Sequence, residues 1–234
     1  MNIIRWYNGV MKRFGQENPI LATLIFSSLV SVSFFIIGTW FFSAGEYWYL
    51  VWNLFLAWLP LLFAWLLLRT LKNKRWASWQ GLLYTFLWLF FLPNSFYIIS
   101  DLIHLQTDVI VNGLYVMVMM FSFSVTGLLL GYISLYSVHK QLLKRFRDNT
   151  PHLVVGIILF LSSFAIYLGR YLHWNTWDAV INPAGLIFDV SDRIINPGAH
   201  TQTATTTLSF FVLLGSMYIV IWQFIKIIRK TVKD

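Results

Sequence analysis

The sequence predicts an all-α integral membrane protein, a bundle of six transmembrane helices with both termini in the cytoplasm. Three observations carry that expectation. Apolar residues make up 58% of the 234-residue chain and charged residues only 11%, whereas a soluble domain needs about a quarter charged residues to cover its surface. Six apolar stretches are each long enough to cross a hydrocarbon core that requires about 20 residues. The basic residues collect in alternate gaps between those stretches, the pattern of a chain threaded back and forth through a bilayer.

In chain order the stretches run from Ile20 to Phe42, Tyr47 to Leu68, Trp79 to Ile99, Gly113 to Leu135, His152 to Leu172 and Thr207 to Ile228. Backbone groups in lipid must pair within their own segment, so these are helices. Asn18-Pro19, Thr150-Pro151 and Asn182-Pro183 each put a polar cap before a proline at the first helical position. The first two open spans and the third opens a shorter helix.

Of the 17 Lys and Arg, all but Arg170 and Arg193 fall on one side, at Arg5, Lys12 and Arg13, then Arg69, Lys72, Lys74 and Arg75, then Lys140, Lys144, Arg145 and Arg147, then Lys226, Arg229, Lys230 and Lys233. The other side carries Glu46, Asp101, Asp108, Asp178, Asp189 and Asp192. The basic side is therefore expected to be cytoplasmic, and an even number of spans returns the C-terminus to it. These short basic clusters do not make the continuous solvated face that nucleic acid requires, so a nucleic-acid partner is not expected. Membrane lipid is the expected partner.

Ahead of the first span, Ile3, Ile4, Trp6, Tyr7, Val10, Met11 and Phe14 share one face opposite Arg5 and Lys12. Residues 1–15 therefore read as an amphipathic helix on the inner leaflet. The first span exceeds the 7–15 apolar residues of a cleavable signal, which favours a retained helix although Ser43-Ala44-Gly45 would suit a cleavage site. Trp40, Trp48, Trp76 and Trp79 sit near span ends as interfacial anchors. In the fourth span Ser124, Gly127, Gly131 and Ser134 form a small-residue stripe that admits close helix packing, within the chain or against a second copy or another membrane protein.

Two segments break the pattern. Pro93 interrupts the third span and frees the carbonyl of Leu89, so a kink is expected there. If the helix resumes, Asn94, Tyr97, Asp101, His104 and Asp108 share one narrow face, with Asn94 placed to answer that carbonyl. The fifth span ends in Gly169-Arg170-Tyr171-Leu172-His173-Trp174-Asn175-Thr176-Trp177-Asp178, where the guanidinium of Arg170 has Asp101 or Asp178 as a partner, an anionic ligand, or the headgroup zone itself. Beyond it, residues 176–200 form an extracytoplasmic amphipathic segment, with Leu186, Ile187, Val190 and Ile194 on one side and Asp189, Asp192 and Arg193 on the other.

The run Leu92-Pro93-Asn94-Ser95-Phe96-Tyr97-Ile98-Ile99-Ser100-Asp101-Leu102-Ile103-His104-Leu105, together with Gly169-Arg170 and Trp174-Asn175-Thr176-Trp177-Asp178, resembles the bacterial multi-pass membrane family catalogued as domain of unknown function 1361. The resemblance implies a bacterial plasma-membrane location and no assigned activity. Its motif positions, carried onto this chain, are Pro93, Asn94, Tyr97, Asp101, His104, Arg170, Trp174, Asn175, Trp177 and Asp178.

Three readings of function stand side by side. In the first, Asp101 or Asp178 acts as general base, His104 or His173 shuttles protons, and Arg170 holds an anionic headgroup, with Asn94, Tyr97, His173, Trp174, Asn175 and Trp177 as binding residues. The second is a passive or facilitated transporter, for which Asn94 and the Pro93 break are the deepest polar features. The third is an accessory subunit whose polar network serves architecture alone. No metal site is expected, since the His and Asp spacings match no established motif. No cofactor is indicated, and the absence of cysteine removes thiol chemistry. Nucleotide-loop, zinc-protease and serine-elbow motifs are absent too.

Overall fold

The computed structural model describes residues 19–42, 44–107 and 113–231. Every element among the described residues is helical, and six helices are long and apolar enough to cross a membrane. The expected inner-leaflet helix and Asp108 lie outside the described residues. The main helices are α1 (Pro19–Phe42), α2 (Trp48–Thr70), α3 (Trp79–Tyr97), α4 (Gly113–Leu143), α5 (Thr150–Leu172), α6 (Pro183–Ile195) and α7 (Thr201–Thr231). The spans begin and end close to the expected positions, with α4 and α7 running further. In α4 no Gly or Pro interrupts the chain after the apolar run, so helix persists to Leu143, and Asp148 turns the backbone in the left-handed region in the connection that follows.

Local chemistry decides how the ends form. Ser78 caps α3 by accepting from the backbone N–H of Gly81, and Asn182 caps α6 by accepting from that of Gly185. At α5 the expected cap moves: Thr150 is already helical and Asn149 takes the capping position without a side-chain bond. Within α1, the hydroxyls of Thr23, Ser28, Ser31 and Ser33 donate to carbonyls one turn earlier. These bonds keep the polar side chains satisfied in an apolar setting.

The centre of the bundle is α4, whose small-residue stripe is consumed inside the chain. Ser124 and Ser134 are buried at 2% and 0% exposure, and Gly127 and Gly131 are buried between them. Gly127 lets the carbonyl of Ser95 approach, and Gly131 admits the ring of Phe96. Within the chain, that face packs against the outer part of α3. Polar links join α4 to its neighbours: Ser27 and Ser31 meet Thr126, Trp88 Nε1 donates to Ser134, and the Tyr132 hydroxyl donates to the carbonyl of Leu214. In a bilayer, where burial of apolar surface gives helices little reason to associate, such bonds and close packing do the joining.

Contacts order the helices: α2 packs on α3 and α4, α3 packs on α5, α1 packs on α4, and α7 packs on α5. Both α2 and α5 thus flank α3. The guanidinium of Arg145 lies over the Trp76 ring, which puts the α2–α3 and α4–α5 connections at the same end of the bundle. Tyr49, Tyr97, Arg170 and Trp174 meet at the opposite end.

The connection from α5 to α7 is tied down by Asp192. Its carboxylate accepts from Asn196 Nδ2 at 2.8 Å and pairs with His200 Nε2 at 2.7 Å. The Asn196 amide and then the His200 ring hold this carboxyl below its ordinary value of 3.8. A depressed folded-state value contributes stability that is present above the ordinary value and lost as pH falls through the folded one. The amides of Asn196, Ala199 and His200, which are hydrogen-bonded within this segment, should therefore lose hydrogen-exchange protection, after correction for intrinsic rates, only below about pH 4. Protection that is already falling at neutral pH would contradict this.

Candidate functional site

Pro93 does not end α3. Helix continues to Tyr97, then tightens to a 3-10 turn over Ile98–Ile103 and one further helical turn from His104. Ser100 Oγ donates to the carbonyl of Tyr97, and Ser124 of α4 donates to the carbonyl of Ile98, so the turn is held from within and from behind. This turn presents Asp101 and His104 towards the last turn of α5. Asn94 Nδ2 donates to the carbonyl of Phe91 rather than to that of Leu89.

Arg170 is the hub. Its Nη2 bonds the Asp101 carboxylate, Nε and Nη2 donate to Ser100 Oγ at 3.2 and 3.0 Å, and Nη1 meets His104 Nε2 at 3.1 Å. The guanidinium also lies 5.0 Å from the centroid of the Tyr97 ring. A side chain at Gly169 would collide with that ring, its Cβ falling 2.8 Å from Tyr97 Cε2. Glycine there lets Tyr97 slide beneath Arg170. The other Asp101 oxygen accepts from Asn53 Nδ2 of α2 at 3.0 Å. Because a guanidinium only donates, His104 Nε2 is cast as the acceptor.

Past Arg170 the chain turns through His173 in the left-handed region, and the N–H of Trp174 closes the helix on the carbonyl of Leu168. Thr176 then donates to Asn94 Oδ1 at 3.1 Å, which ties this loop to α3. Trp174 Nε1 donates to Asp189 of α6 at 2.7 Å.

These elements enclose a cavity of about 750 Å³. Its polar end is lined by Asn53, Asn94, Tyr97, Asp101, His104 and Arg170, and its rim by Trp48, His173, Trp174, Asn175 and Trp177. It continues along α3 and α5 past Leu89, Phe90, Ile158 and Leu161, which is an apolar lining. Leu89 and Leu161 are themselves exposed on the outside of the bundle, so the apolar end opens sideways.

All the sequence-derived candidates except Asp178 line this cavity. Asp178 instead caps its own loop, accepting from the backbone N–H and the side-chain amide of Asn175. The carboxylate that meets Arg170 is Asp101. Both Asp101 oxygens are engaged, and the residue is 2% exposed. A general base needs a free oxygen within reach of a substrate proton, so this geometry suits Asp101 to positioning Arg170. Likewise, Arg170 has most of its donors committed inside the protein. Among the described residues no three His, Asp or Glu gather as a metal site would require.

Sequence reasoning missed Asn53, Ser100, Tyr49 and Thr176. Asn53 carried a usable signal: it is the only Asn in an otherwise apolar span, and such residues seek a polar partner inside a bundle. Ser100 and Tyr49 carried none, since serine and tyrosine are common at span ends.

A family model described as a protein of unknown function, DUF1361, matches residues 52–221. The matched region begins just before Asn53 and includes every residue of the cavity's polar end. No curated protein and no solved structure matches the chain.

Proposed function

The chain belongs to the DUF1361 family, and since the description of that family names no function we propose one from the cavity: binding the polar head of an amphiphile drawn sideways from the leaflet away from the cytoplasm. The observation that carries this reading is the two-part lining, polar at Asn94, His104 and Arg170 and apolar along Leu89, Phe90, Ile158 and Leu161. A lipid-like molecule has the same division. The outward orientation rests on the positive-inside rule, with Arg69, Lys72, Lys74, Lys140, Lys144 and Lys226 at the opposite end of the bundle.

The head is received by the groups that face the cavity, His104, Asn94, His173 and Asn175, within a frame of Trp and Tyr rings. Arg170 and Asp101 form that frame's fixed, charge-balanced base, and the part of the guanidinium that faces the cavity attracts anionic heads. The apolar continuation past Asn94 speaks against the transporter reading, which needs a polar path towards the basic loops.

Ala165 lines the apolar part of the cavity and is half-buried. Ala165→Trp should fill that part without touching the Arg170 cluster. Native mass spectrometry of protein released from phosphatidylglycerol nanodiscs should find retained lipid on the wild type and at least tenfold less, roughly, on the variant, as expected when an indole occupies the acyl path. Equal retention by both proteins, with helicity unchanged, would sink the reading.

A further inference from the structure

The apolar half of α6 faces away from the protein. Ile187, Phe188, Ile194 and Ile195 are 65%, 73%, 70% and 73% exposed. The polar half is turned inward: Asp189 accepts from Trp174 and from Arg193 at 3.1 Å, and Arg193 reaches the phenol of Tyr167. This is the reverse of a helix resting on a water-covered surface, which would bury its apolar side against the bundle and show its charges to solvent.

We propose that α6 is an interfacial helix immersed in the leaflet at the Arg170 end, with Ile187, Phe188, Ile194 and Ile195 in contact with lipid acyl chains. The occupant of its outer face is thus the bilayer itself. Depth supports this. Tyr167 lies five residues before the end of α5, about 7.5 Å down the helix axis, so a helix that touches it through Arg193 lies beside the last turns of α5 rather than above them. Charge supports it too. Asp189, Asp192 and Arg193 are only partly exposed, and the fully exposed positions from Val180 to Ala199 are uncharged. The outer surfaces of α5 and α7 are likewise apolar, with Phe160, Leu161, Leu208 and Val212 exposed. Leu186, on the inward side, lines the cavity, so α6 separates part of the cavity from lipid.

The chain has no cysteine, so nitroxide labels can be attached singly at Phe188→Cys and Ile194→Cys in protein reconstituted into phosphatidylcholine–phosphatidylglycerol vesicles. Phe86→Cys, on the exposed face of α3, serves as the lipid reference and Asn73→Cys, in the exposed loop after α2, as the water reference. Collision with oxygen and with a water-soluble nickel complex is read at each site. Positions 188 and 194 should match position 86, with oxygen collision gained and nickel collision lost relative to position 73. Nickel collision equal to that at position 73 at either site overturns the proposal. Spin–spin broadening between copies at either site also overturns it, because a second chain would then cover the face. The outcome does not depend on what fills the cavity, so it stands apart from the amphiphile reading.

Discussion

Arg170→Ala should destabilise the bundle by roughly 3–5 kcal/mol, the loss expected when one partner of a buried ion pair is removed and its counter-charge is stranded. The stranded group here is Asp101, whose side chain is 3% exposed and would keep only the Asn53 amide. Asp101→Ala should lose less. It strands a guanidinium that is 13% exposed and borders the cavity, where water can reach it. Replacing both, Arg170→Met with Asp101→Leu, should recover most of the loss, because neither charge is then left without a partner. Unfolding titrations in mild detergent give the ordering directly. Equal, small losses for both single variants would mean that the pair does not hold the α3 turn to α5.

Gly127→Ala should cost more than Gly131→Ala, although each adds one methyl group to the same stripe. The added Cβ at Gly127 would stand 2.8 Å from the carbonyl oxygen of Ser95 and 2.8 Å from Ile98 Cδ1. Backbone must shift to make room, and it is the backbone that leads into the turn carrying Asp101. A loss of about 1–3 kcal/mol is expected from such overpacking. At Gly131 the closest atom, at 2.7 Å, is Phe96 Cε1, a ring edge that can yield by rotation against Tyr132. The same unfolding titration decides the order. Light scattering supplies the contrast: neither variant should change the mass of the particle, because the stripe is buried within one chain.

Much of the candidate site was legible because charge is rare in this sequence. Asp101, His104 and Arg170 stood out against apolar neighbours, and the helical spacing from Asn94 through His104 put one set of them on a common face. The choice between Asp101 and Asp178 was not legible. Both carboxylates are close to Arg170 in some plausible path of the chain, and only packing of α3 against α5 sets which one arrives. Asn175, three residues before Asp178, offers a nearer donor, so that carboxylate closes its own loop. The 3-10 turn at Ile98–Ile103 was hidden as well, since its sequence would serve equally for continued helix and the clamp from Ser124 is distant in the chain.

The same division applies to α6. Its amphipathic period kept Asp189, Asp192 and Arg193 together, but the expected apolar side is divided. Ile187 and Ile194 face outward, whereas Leu186 and Val190 are only partly exposed and Leu186 lines the cavity. Nor did the period say which side looks inward. Partners 15 residues or more away decided that, when the Trp174 indole and the Tyr167 phenol drew Asp189 and Arg193 towards the bundle. By itself, then, the sequence determined the six helical spans and their approximate places in the chain, together with the charged groups that could meet, because hydrophobic length and backbone pairing in lipid are properties of each segment alone. Tertiary structure decided the partner of Arg170, the burial of the small-residue stripe and the facing of α6, because a buried polar group is stabilised by whichever partner packing brings within reach.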